Sequence, residues 1–320
     1  MPVDIKPVHI GVRSRFRVWL LRVFFKRLMG RMGRGSEERI ALLQVRAAGR
    51  MPEQCSGLIV EYRIVNGVPG PMLGDSRDTS KLAILYLHGG AFVFPASPAL
   101  QLEFLGRLCR DLSAVGFMPD YRLIPQHPAP AALDDCERAY RGLLALGYPP
   151  KRIVLIGESA GGNLVLGLLQ RIRKAHLGLP ACAVPISPIT DLARMHAPPS
   201  RGRNAKREAL VPLSLAYRMT KWYVGGRDAS DPEISPLYAD YSGFPPLYFI
   251  ASEREILLDD SILAVQQARQ AGVETQLDVW PILPHAFVIF ESMFAEAHQA
   301  RGDIVAFIRE HAAARPLPGS

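Results

Sequence analysis

The sequence predicts an α/β fold in which a mostly parallel central sheet is flanked by helices and carries a helical cap. From about residue 60 onward, apolar β-branched segments alternate with segments of helical periodicity, and one strand runs through a glycine-rich turn directly into a helix. Such alternation is typical of parallel strands joined by crossover helices on both faces of a sheet. A length of 320 residues, with 48% hydrophobic and 21% charged residues, fits one large domain with a smaller cap.

Seven strands are predicted from short apolar runs, at residues 57–64, 82–87, 113–118, 152–156, 181–186, 247–251 and 275–279. Helices are predicted between them, at about residues 99–111, 131–146, 162–173, 261–271 and 300–313. Strands and helices in this order leave both faces of the sheet covered.

Two regions fall outside the alternation. Residues 1–50 precede the first strand, and residues 192–240 contain far more chain than a simple crossover needs, including a helix predicted at 212–223. We therefore divide the chain into four predicted segments. They are an N-terminal cap segment at 1–50, a first core part at 51–191, a cap insertion at 192–240 and a second core part at 241–320.

The positive charge belongs to the N-terminal segment. Residues 1–50 hold ten arginines and two lysines against three carboxylates, a balance of +9, whereas the whole chain carries +8. The remaining residues therefore sum to −1, so the basic character does not belong to the body of the chain. No nucleic-acid partner is expected. A helical projection groups five apolar residues on one face flanked by arginines: Val18, Leu21, Phe25, Leu28 and Met32. This face either packs onto the body or lies on an anionic membrane surface or acidic partner.

The four cysteines, at positions 55, 109, 136 and 182, are widely spaced and form no Cys-x-x-Cys pair. This spacing predicts neither a metal site nor a disulfide framework, and it favours a reducing compartment. The N-terminus lacks an apolar stretch of signal-peptide or transmembrane length, because Arg22, Lys26 and Arg27 interrupt it. We therefore expect a cytoplasmic location.

The glycine-rich turn is Gly157-Glu158-Ser159-Ala160-Gly161, directly after the strand at 152–156. A strand that ends in Gly-x-Ser-x-Gly and leads into a helix is the sequence form of a nucleophile elbow. Glycines are required there because a Cβ atom would collide with neighbouring backbone. The helix N-terminus directs its dipole and free N–H groups at any anion that forms beside Ser159. The alternative is an ordinary strand-to-helix turn.

A serine nucleophile needs a base, and the base needs an acid that orients it. Among the histidines after Ser159, His285 is favoured because it follows the last strand in a loop made rigid by Pro281 and Pro284. The other four, His176, His196, His298 and His311, are expected at the surface.

The acid is expected just beyond the strand at 247–251, where Glu253, Glu255, Asp259 and Asp260 compete. Position favours Glu255, because Glu253 still belongs to the strand end and the two aspartates lie where a helix begins. From the residues alone, Asp259 remains the second candidate.

The strand at 82–87 ends in His88-Gly89-Gly90-Ala91-Phe92. Consecutive glycines let backbone N–H groups approach a developing oxyanion without obstruction. We expect Gly89, Gly90 and Ala91 to supply such donors together with the N–H of Ala160, and His88 to brace the loop. A plain glycine turn between strand and helix is the alternative.

In this order the motifs resemble the hormone-sensitive-lipase-like group of α/β-hydrolases, the bacterial family IV carboxylesterases with a His-Gly-Gly-Gly motif. The resemblance covers nearly the whole chain after residue 55. The matching stretches are residues 88–91, 120–125, 128–135, 157–163, 187–191, 235–238, and Pro284 and His285 with Phe287.

The resemblance implies hydrolysis of small-molecule carboxylic esters with short to medium acyl chains, without cofactor or metal. It implies Ser159 as nucleophile and His285 as base under a lid formed by the N-terminal segment and the insertion. The acid of the family's Asp-Pro-Leu-x-Asp motif falls on Glu255 and the second Asp on Asp259. Another acyl group (lysolipid, lactone or amide) and a non-catalytic ligand-binding protein remain alternatives, and the resemblance leaves room for a homodimer.

The chain departs from the family pattern at three positions. Ala91 replaces the third glycine, which narrows the space near the acyl group, and Glu158 stands where Asp is commoner, with little expected consequence. Glu255 is one methylene longer than Asp, so its backbone must be set back for the carboxylate to meet His285.

Overall fold

The computed structural model describes residues 4–32, 35–47 and 49–312. Parts of the predicted segment at 1–50, the side chain of Met32 and the end of the predicted helix at 300–313 lie outside the described residues. Within them, one sheet contains the strands β1 (Gln54–Cys55), β2 (Leu58–Val65), β3 (Val68–Leu73), β4 (Ala83–Leu87), β5 (Val115–Phe117), β6 (Ile153–Glu158), β7 (Cys182–Ile186), β8 (Leu247–Ser252) and β9 (Thr275–Trp280).

The described helices are α1 (Val12–Leu20), α2 (Lys26–Met32), α3 (Glu37–Ala47), α4 (Glu103–Leu112), α5 (Ala131–Ala145), α6 (Ala160–Lys174), α7 (Pro199–Arg203), α8 (Leu213–Val224), α9 (Leu258–Gln270) and α10 (Ala295–Ala312). A wider π-helical turn, Leu21–Phe25, joins α1 to α2, and another, Pro98–Leu102, leads into α4. We call the continuous stretch 12–32 the N-terminal helical segment.

The strand order is β1-β2-β3-β5-β4-β6-β7-β8-β9. The six strands β4 to β9 are parallel, and β1 to β3 are added antiparallel at one edge. The seven predicted strands are confirmed, each within two residues at either end. The prediction missed β1, which has two residues, and β3, because Pro69, Gly70 and Pro71 in β3 resemble a turn.

Two apolar cores lie on the two faces of the sheet. Leu85, Leu155 and Phe249 face the core that includes α5, α6 and α9, and the alternate residues Ile84 and Val154 face the core of α4 and α10. Successive side chains of a strand point to opposite faces. Both faces are therefore buried, which explains why the central strands read as continuous apolar runs.

The N-terminal residues join both the sheet edge and the cap. Ile5 forms a parallel bridge with Val279 of β9, so the first described residues extend the sheet. Further along, Lys26 donates from Nζ to the carbonyl oxygens of Ala205 (2.6 Å) and Glu208 (3.0 Å) in the insertion. The N-terminal helical segment and the insertion are therefore in direct contact.

Part of the predicted apolar helix face packs onto the body, and part of it is exposed. Val18 is buried and Leu21 packs against the core of α4 and α10, but Phe25 and Leu28 are 40% and 51% exposed. Among the described helices, none has the length and hydropathy that a bilayer crossing requires. The expected cytoplasmic location stays a prediction.

Candidate active site

Ser159 lies at the turn between β6 and α6 with φ 58° and ψ −117°, a conformation that L residues rarely adopt. A Cβ atom on Gly157 would lie 2.5 Å from the carbonyl oxygen of Gly161, and one on Gly161 would overlap the carbonyl of Leu87. The tight approach of β6, α6 and the end of β4 therefore requires glycine on both sides. It leaves Ser159 at the carboxyl edge of the sheet in a strained elbow.

Asn163, in the first turn of α6, holds the surroundings of the elbow. Its Nδ2 atom donates to the carbonyl oxygens of Ile189 and Ile234, both at 2.9 Å. The backbone N–H of Ser159 donates to Ile186 at 2.8 Å. The elbow is thus fixed to β7, to the loop that follows it and to the segment that leaves the insertion.

His285 and Glu255 are brought together. The Nδ1–H of His285 donates to Oε2 of Glu255 at 2.8 Å, and both side chains are buried. Glu255 lies in the turn after β8, and its Oε1 accepts the N–H of Ser252 at 3.0 Å. This second hydrogen bond fixes the orientation of the carboxylate towards His285.

Ser252 and Ser187 hold the loop that contains His285, and neither was a candidate site residue in the sequence. The hydroxyl of Ser252 donates to the carbonyl oxygen of Leu283, two residues before His285. The hydroxyl of Ser187 accepts the N–H of Ala286, on the other side of His285. The imidazole is therefore held from both sides of its loop.

The competing carboxylates point elsewhere. Asp259 accepts the N–H of Ser200 at 2.7 Å and lies 3.3 Å from Arg203, so it binds α7. Asp260 forms a buried ion pair with Arg201 at 2.8 Å. Glu253 pairs with Arg207 on the insertion.

The ionisation of His285 is governed by burial and by nearby carboxylates. Burial opposes the charged ring, but the hydrogen bond and charge of Glu255, with the charges of Glu208 and Glu158, raise the pKa of His285 above its ordinary 6.5. Within the described residues its Nε2 atom is buried without a hydrogen-bond partner. That nitrogen is free to accept a proton.

Glu208 is a site residue that sequence reasoning missed. It is buried, and it accepts the N–H groups of Leu210 at 2.8 Å and of Ile256 at 3.2 Å. Burial raises the pKa of Glu208, against the influence of His285 and these hydrogen bonds. Its carboxylate thereby ties the insertion to the residue next to Glu255.

The loop after β4 is held by Glu158. Its carboxylate accepts the hydroxyl of Tyr86 and the N–H of Gly89, both at 2.5 Å, and Nε2 of Gln101 at 3.1 Å. The N–H of Gly89 therefore points at Glu158, which does not fit the expected role of Gly89 as an oxyanion donor. The N–H groups of Gly90 and Ala91 have no partner in the part of the chain that the structure describes.

His88 braces this loop, in the manner expected from the sequence. Its Nδ1–H donates to the carbonyl oxygen of Gly89 at 2.7 Å, and its ring stacks on Tyr121 with 4.2 Å between centroids. Burial lowers the pKa of His88 to about 4, against the hydrogen bond to Gly89. The ring is neutral at physiological pH.

Of the four histidines expected at the surface, His176, His196 and His298 are exposed and His311 is half-buried. His311 binds Glu274 through Nε2 at 2.9 Å. His285 is thus the one of these five histidines that is itself buried. Its loop is tied through Ala286 to Ser187, the residue after the acceptor of the Ser159 N–H.

An apolar pocket opens beside Ser159. Its walls come from the elbow, from the loops after β4, β7 and β8, and from α8 with the residues before it. The lining residues are Ala91, Phe92, Ser159, Ala160, Ile189, Val211, Leu215, Ala216, Met219, Thr220, Ile256 and Leu257. A pocket of this lining suits a hydrocarbon group bound next to a polar reacting centre.

Comparison with known proteins agrees with this geometry. The family profile described as the alpha/beta hydrolase fold matches residues 84–289. The chain is 36% identical to an acetyl-hydrolase of Streptomyces hygroscopicus over 226 residues, which are 71% of this chain and 75% of that protein. It is 38% identical to the esterase LipU of Mycobacterium tuberculosis over 243 residues, 73% of this chain and 79% of LipU.

Among solved structures, an esterase from the bacterial hormone-sensitive lipase family superposes with a TM-score of 0.81 and 32% identity, covering 95% of this chain and 100% of that one. By name, the two sequence relatives are an acetyl-hydrolase and an esterase, and the structural neighbour is an esterase. The chain therefore belongs to the α/β-hydrolase fold family, in its hormone-sensitive-lipase group, and is a carboxylesterase-like hydrolase.

Proposed function

We propose that this hydrolase cleaves carboxylic esters with short to medium acyl chains through an acyl-enzyme on Ser159. His285 is the general base and Glu255 the acid that orients it. The observation that carries the proposal is the buried 2.8 Å hydrogen bond between His285 and Glu255 beside a strained serine elbow. A serine, a base and an orienting acid in this relation are what nucleophilic acyl transfer requires.

In the first half-reaction, Nε2 of His285 takes the hydroxyl proton of Ser159 while Oγ attacks the ester carbonyl carbon. Collapse of the tetrahedral intermediate breaks the bond to the alcohol oxygen, which receives the proton from the imidazolium. Water then gives its proton to His285 and attacks the acyl-enzyme. The carboxylic acid leaves, and Ser159 regains its proton.

We assign the oxyanion hole to the N–H groups of Gly90, Ala91 and Ala160. Ala160 is the first residue of α6, where N–H groups have no partner inside the helix, and the helix dipole favours negative charge there. Gly89 is left out, because its N–H already donates to Glu158. Each donor of this kind is worth about 10²–10³ in kcat.

We assign the acyl chain to the apolar pocket beside Ser159. Leu215 and Met219 of α8 line the same pocket as Ser159, so the length of the bound chain depends on the cap. A short acyl group agrees with the acetyl-hydrolase named among the relatives. The cap in this proposal consists of the N-terminal helical segment with the insertion at 192–240, which the contacts of Lys26 join.

Hydrolysis of p-nitrophenyl butyrate by Ser159→Ala protein tests the proposal. We expect kcat to fall at least about 10⁴-fold, because the nucleophile is lost. Ser242→Ala, at an exposed serine, is the matched control and should keep the wild-type rate. Turnover by Ser159→Ala at the wild-type rate would exclude the proposed nucleophile.

A further inference from the structure

The N-terminal helical segment has apolar residues on the side that does not pack against the body. Val18 is 5% exposed, but Phe16, Trp19, Phe24 and Leu28 are 58%, 45%, 64% and 51% exposed. Phe16 and Trp19 stack on each other with 5.8 Å between ring centroids. Aromatic side chains grouped on one exposed helical surface mark an interaction site.

The same segment is strongly cationic. Residues 12–32 contain six arginines and Lys26 and no carboxylate. A surface cavity lies between this segment and the insertion, lined by Arg22, Val23, Lys26, Arg27, Ala205, Lys206 and Pro212. Across the described ranges, no carboxylate pairs with Arg22, Arg27 or Lys206. The cavity therefore offers unneutralised cations to an anion.

We propose that the N-terminal helical segment binds the surface of an anionic phospholipid membrane. Phe16, Trp19 and Phe24 enter the interfacial layer, and the cations of the cavity, Arg22, Arg27 and Lys206, bind lipid phosphates. Basic amphipathic helices with exposed aromatic residues lie in the plane of such interfaces, where tryptophan is enriched. Each cation near the surface contributes about fivefold to the partition coefficient.

Charge argues for lipid over a second copy of the chain. A symmetric dimer through this surface would bring two identical segments together, each with seven cations and no carboxylate. Like charges at that distance repel, whereas anionic headgroups neutralise them.

Membrane binding would hold the cap against the lipid surface. Lys26 contacts the insertion at Ala205 and Glu208, and Val211, three residues after Glu208, lines the pocket beside Ser159. An ester dissolved in the membrane would then lie close to the cap.

Co-sedimentation with vesicles tests the proposal on the full chain carrying Ser159→Ala, which removes the proposed nucleophile. Bound protein is measured directly, so the result does not depend on whether the proposed hydrolysis is right. Vesicles of phosphatidylcholine with 30% phosphatidylglycerol are compared with pure phosphatidylcholine, at low and at high salt. We expect binding to the anionic vesicles, at least tenfold weaker binding to neutral ones, and release by salt.

Two sets of substitutions locate the surface. We expect Phe16→Ser with Trp19→Ser, and separately Arg22→Ala with Arg27→Ala, each to lower the partition coefficient at least about tenfold. The matched controls are Ile64→Ser, at a 74% exposed position of β2, and Lys174→Ala, at the far end of α6. Single substitutions replace any pair that lowers the thermal midpoint of unfolding.

Absence of binding to anionic vesicles would overturn the proposal. So would equal loss of binding in the controls, or equal binding to neutral vesicles. Sedimentation velocity tests whether the surface binds a second copy of the chain instead. If the wild-type protein is a dimer and Phe16→Ser with Trp19→Ser makes it a monomer, the surface binds protein and the proposal is overturned.

Discussion

The Oε2 atom of Glu255 lies 2.8 Å from Nδ1 of His285, and both side chains are buried. The carboxylate can only accept at this contact, so it fixes the proton of the neutral imidazole on Nδ1. Nε2 is thereby left as the acceptor, and it is the nitrogen that lacks a partner among the described residues. This single contact determines which nitrogen of His285 is available for chemistry.

Removal of this contact separates the two candidate acids. We expect Glu255→Ala to lower kcat/KM about 10³–10⁴-fold, because the imidazole loses both its tautomer and the charge that stabilises it when protonated. Asp259→Ala is the matched control and should cost less than about tenfold, because Asp259 binds Ser200 and Arg203 on α7. A large loss for Asp259→Ala with a mild one for Glu255→Ala would reverse the assignment. Hydrolysis of a p-nitrophenyl ester measures both.

The pH dependence of kcat/KM reports the ionisation of His285. Its pKa is raised above 6.5, and the base acts only when neutral, so activity should rise with pH through a midpoint above 6.5. A pH–rate profile of the wild-type enzyme checks this, and an acidic limb at or below 6.5 would contradict it.

Glu208 should shift that profile. Its carboxylate contributes to the raised pKa of His285. Glu208→Gln removes the charge and keeps one accepting oxygen, for the N–H of Leu210 at Oε1, while the N–H of Ile256 loses its acceptor Oε2. The acidic limb should therefore move to lower pH. Glu253→Gln, which removes a carboxylate paired with Arg207, is the comparison and should leave the limb in place. An unmoved limb in Glu208→Gln would show that Glu208 carries no charge at the working pH.

Glu158 should matter for both stability and activity. Glu158→Ala would leave the hydroxyl of Tyr86 and the N–H of Gly89 without their buried acceptor, and each such group costs about 1–3 kcal/mol. We expect a lower thermal midpoint of unfolding and a lower kcat, because the loop that carries Gly90 and Ala91 loses its anchor. Glu61→Ala, at an exposed position of β2, should change neither quantity. If Glu158→Ala keeps the wild-type thermal midpoint and the wild-type kcat, Glu158 does not anchor the loop after β4.

The cap wall should set acyl preference. Met219 of the cap lines the pocket beside Ser159, and Met219→Ala opens space there. We expect the acyl length of highest kcat/KM to increase by at least about two carbons across a series of p-nitrophenyl esters, since roughly 0.8 kcal/mol is gained for each methylene buried. Lys221→Ala, at an exposed residue of the same helix, should leave the optimum unchanged.

Features encoded by neighbouring residues were predictable, and those that depend on distant contacts were not. Both the central strands and the Ser159 elbow follow from local patterns, and the structure confirms those strands. In contrast, Glu158 reaches Gly89 across 69 positions, and nothing near either residue indicates that contact. The contact that does not fit the expected donor role of Gly89 was therefore not predictable from the sequence.

The same limit applies to the cap. Glu208 was not a candidate, because its partner Ile256 is 48 positions away. The helical projection placed Val18 on the apolar face but could not show that Val18 is buried or that Phe16 and Trp19 stay exposed. Which helix face finds the body depends on tertiary packing, and periodicity reports only that a face exists.

Covalent labelling of the serine tests the central claim most directly. Intact-mass and peptide analysis after treatment with diisopropyl fluorophosphate should show one adduct, on the peptide that contains Ser159, with loss of activity in proportion to labelling. The adduct should be absent from Ser159→Ala protein, because the phosphorylated oxygen is gone. An adduct on another residue with equal loss of activity, or full activity after complete labelling of Ser159, would contradict the assignment.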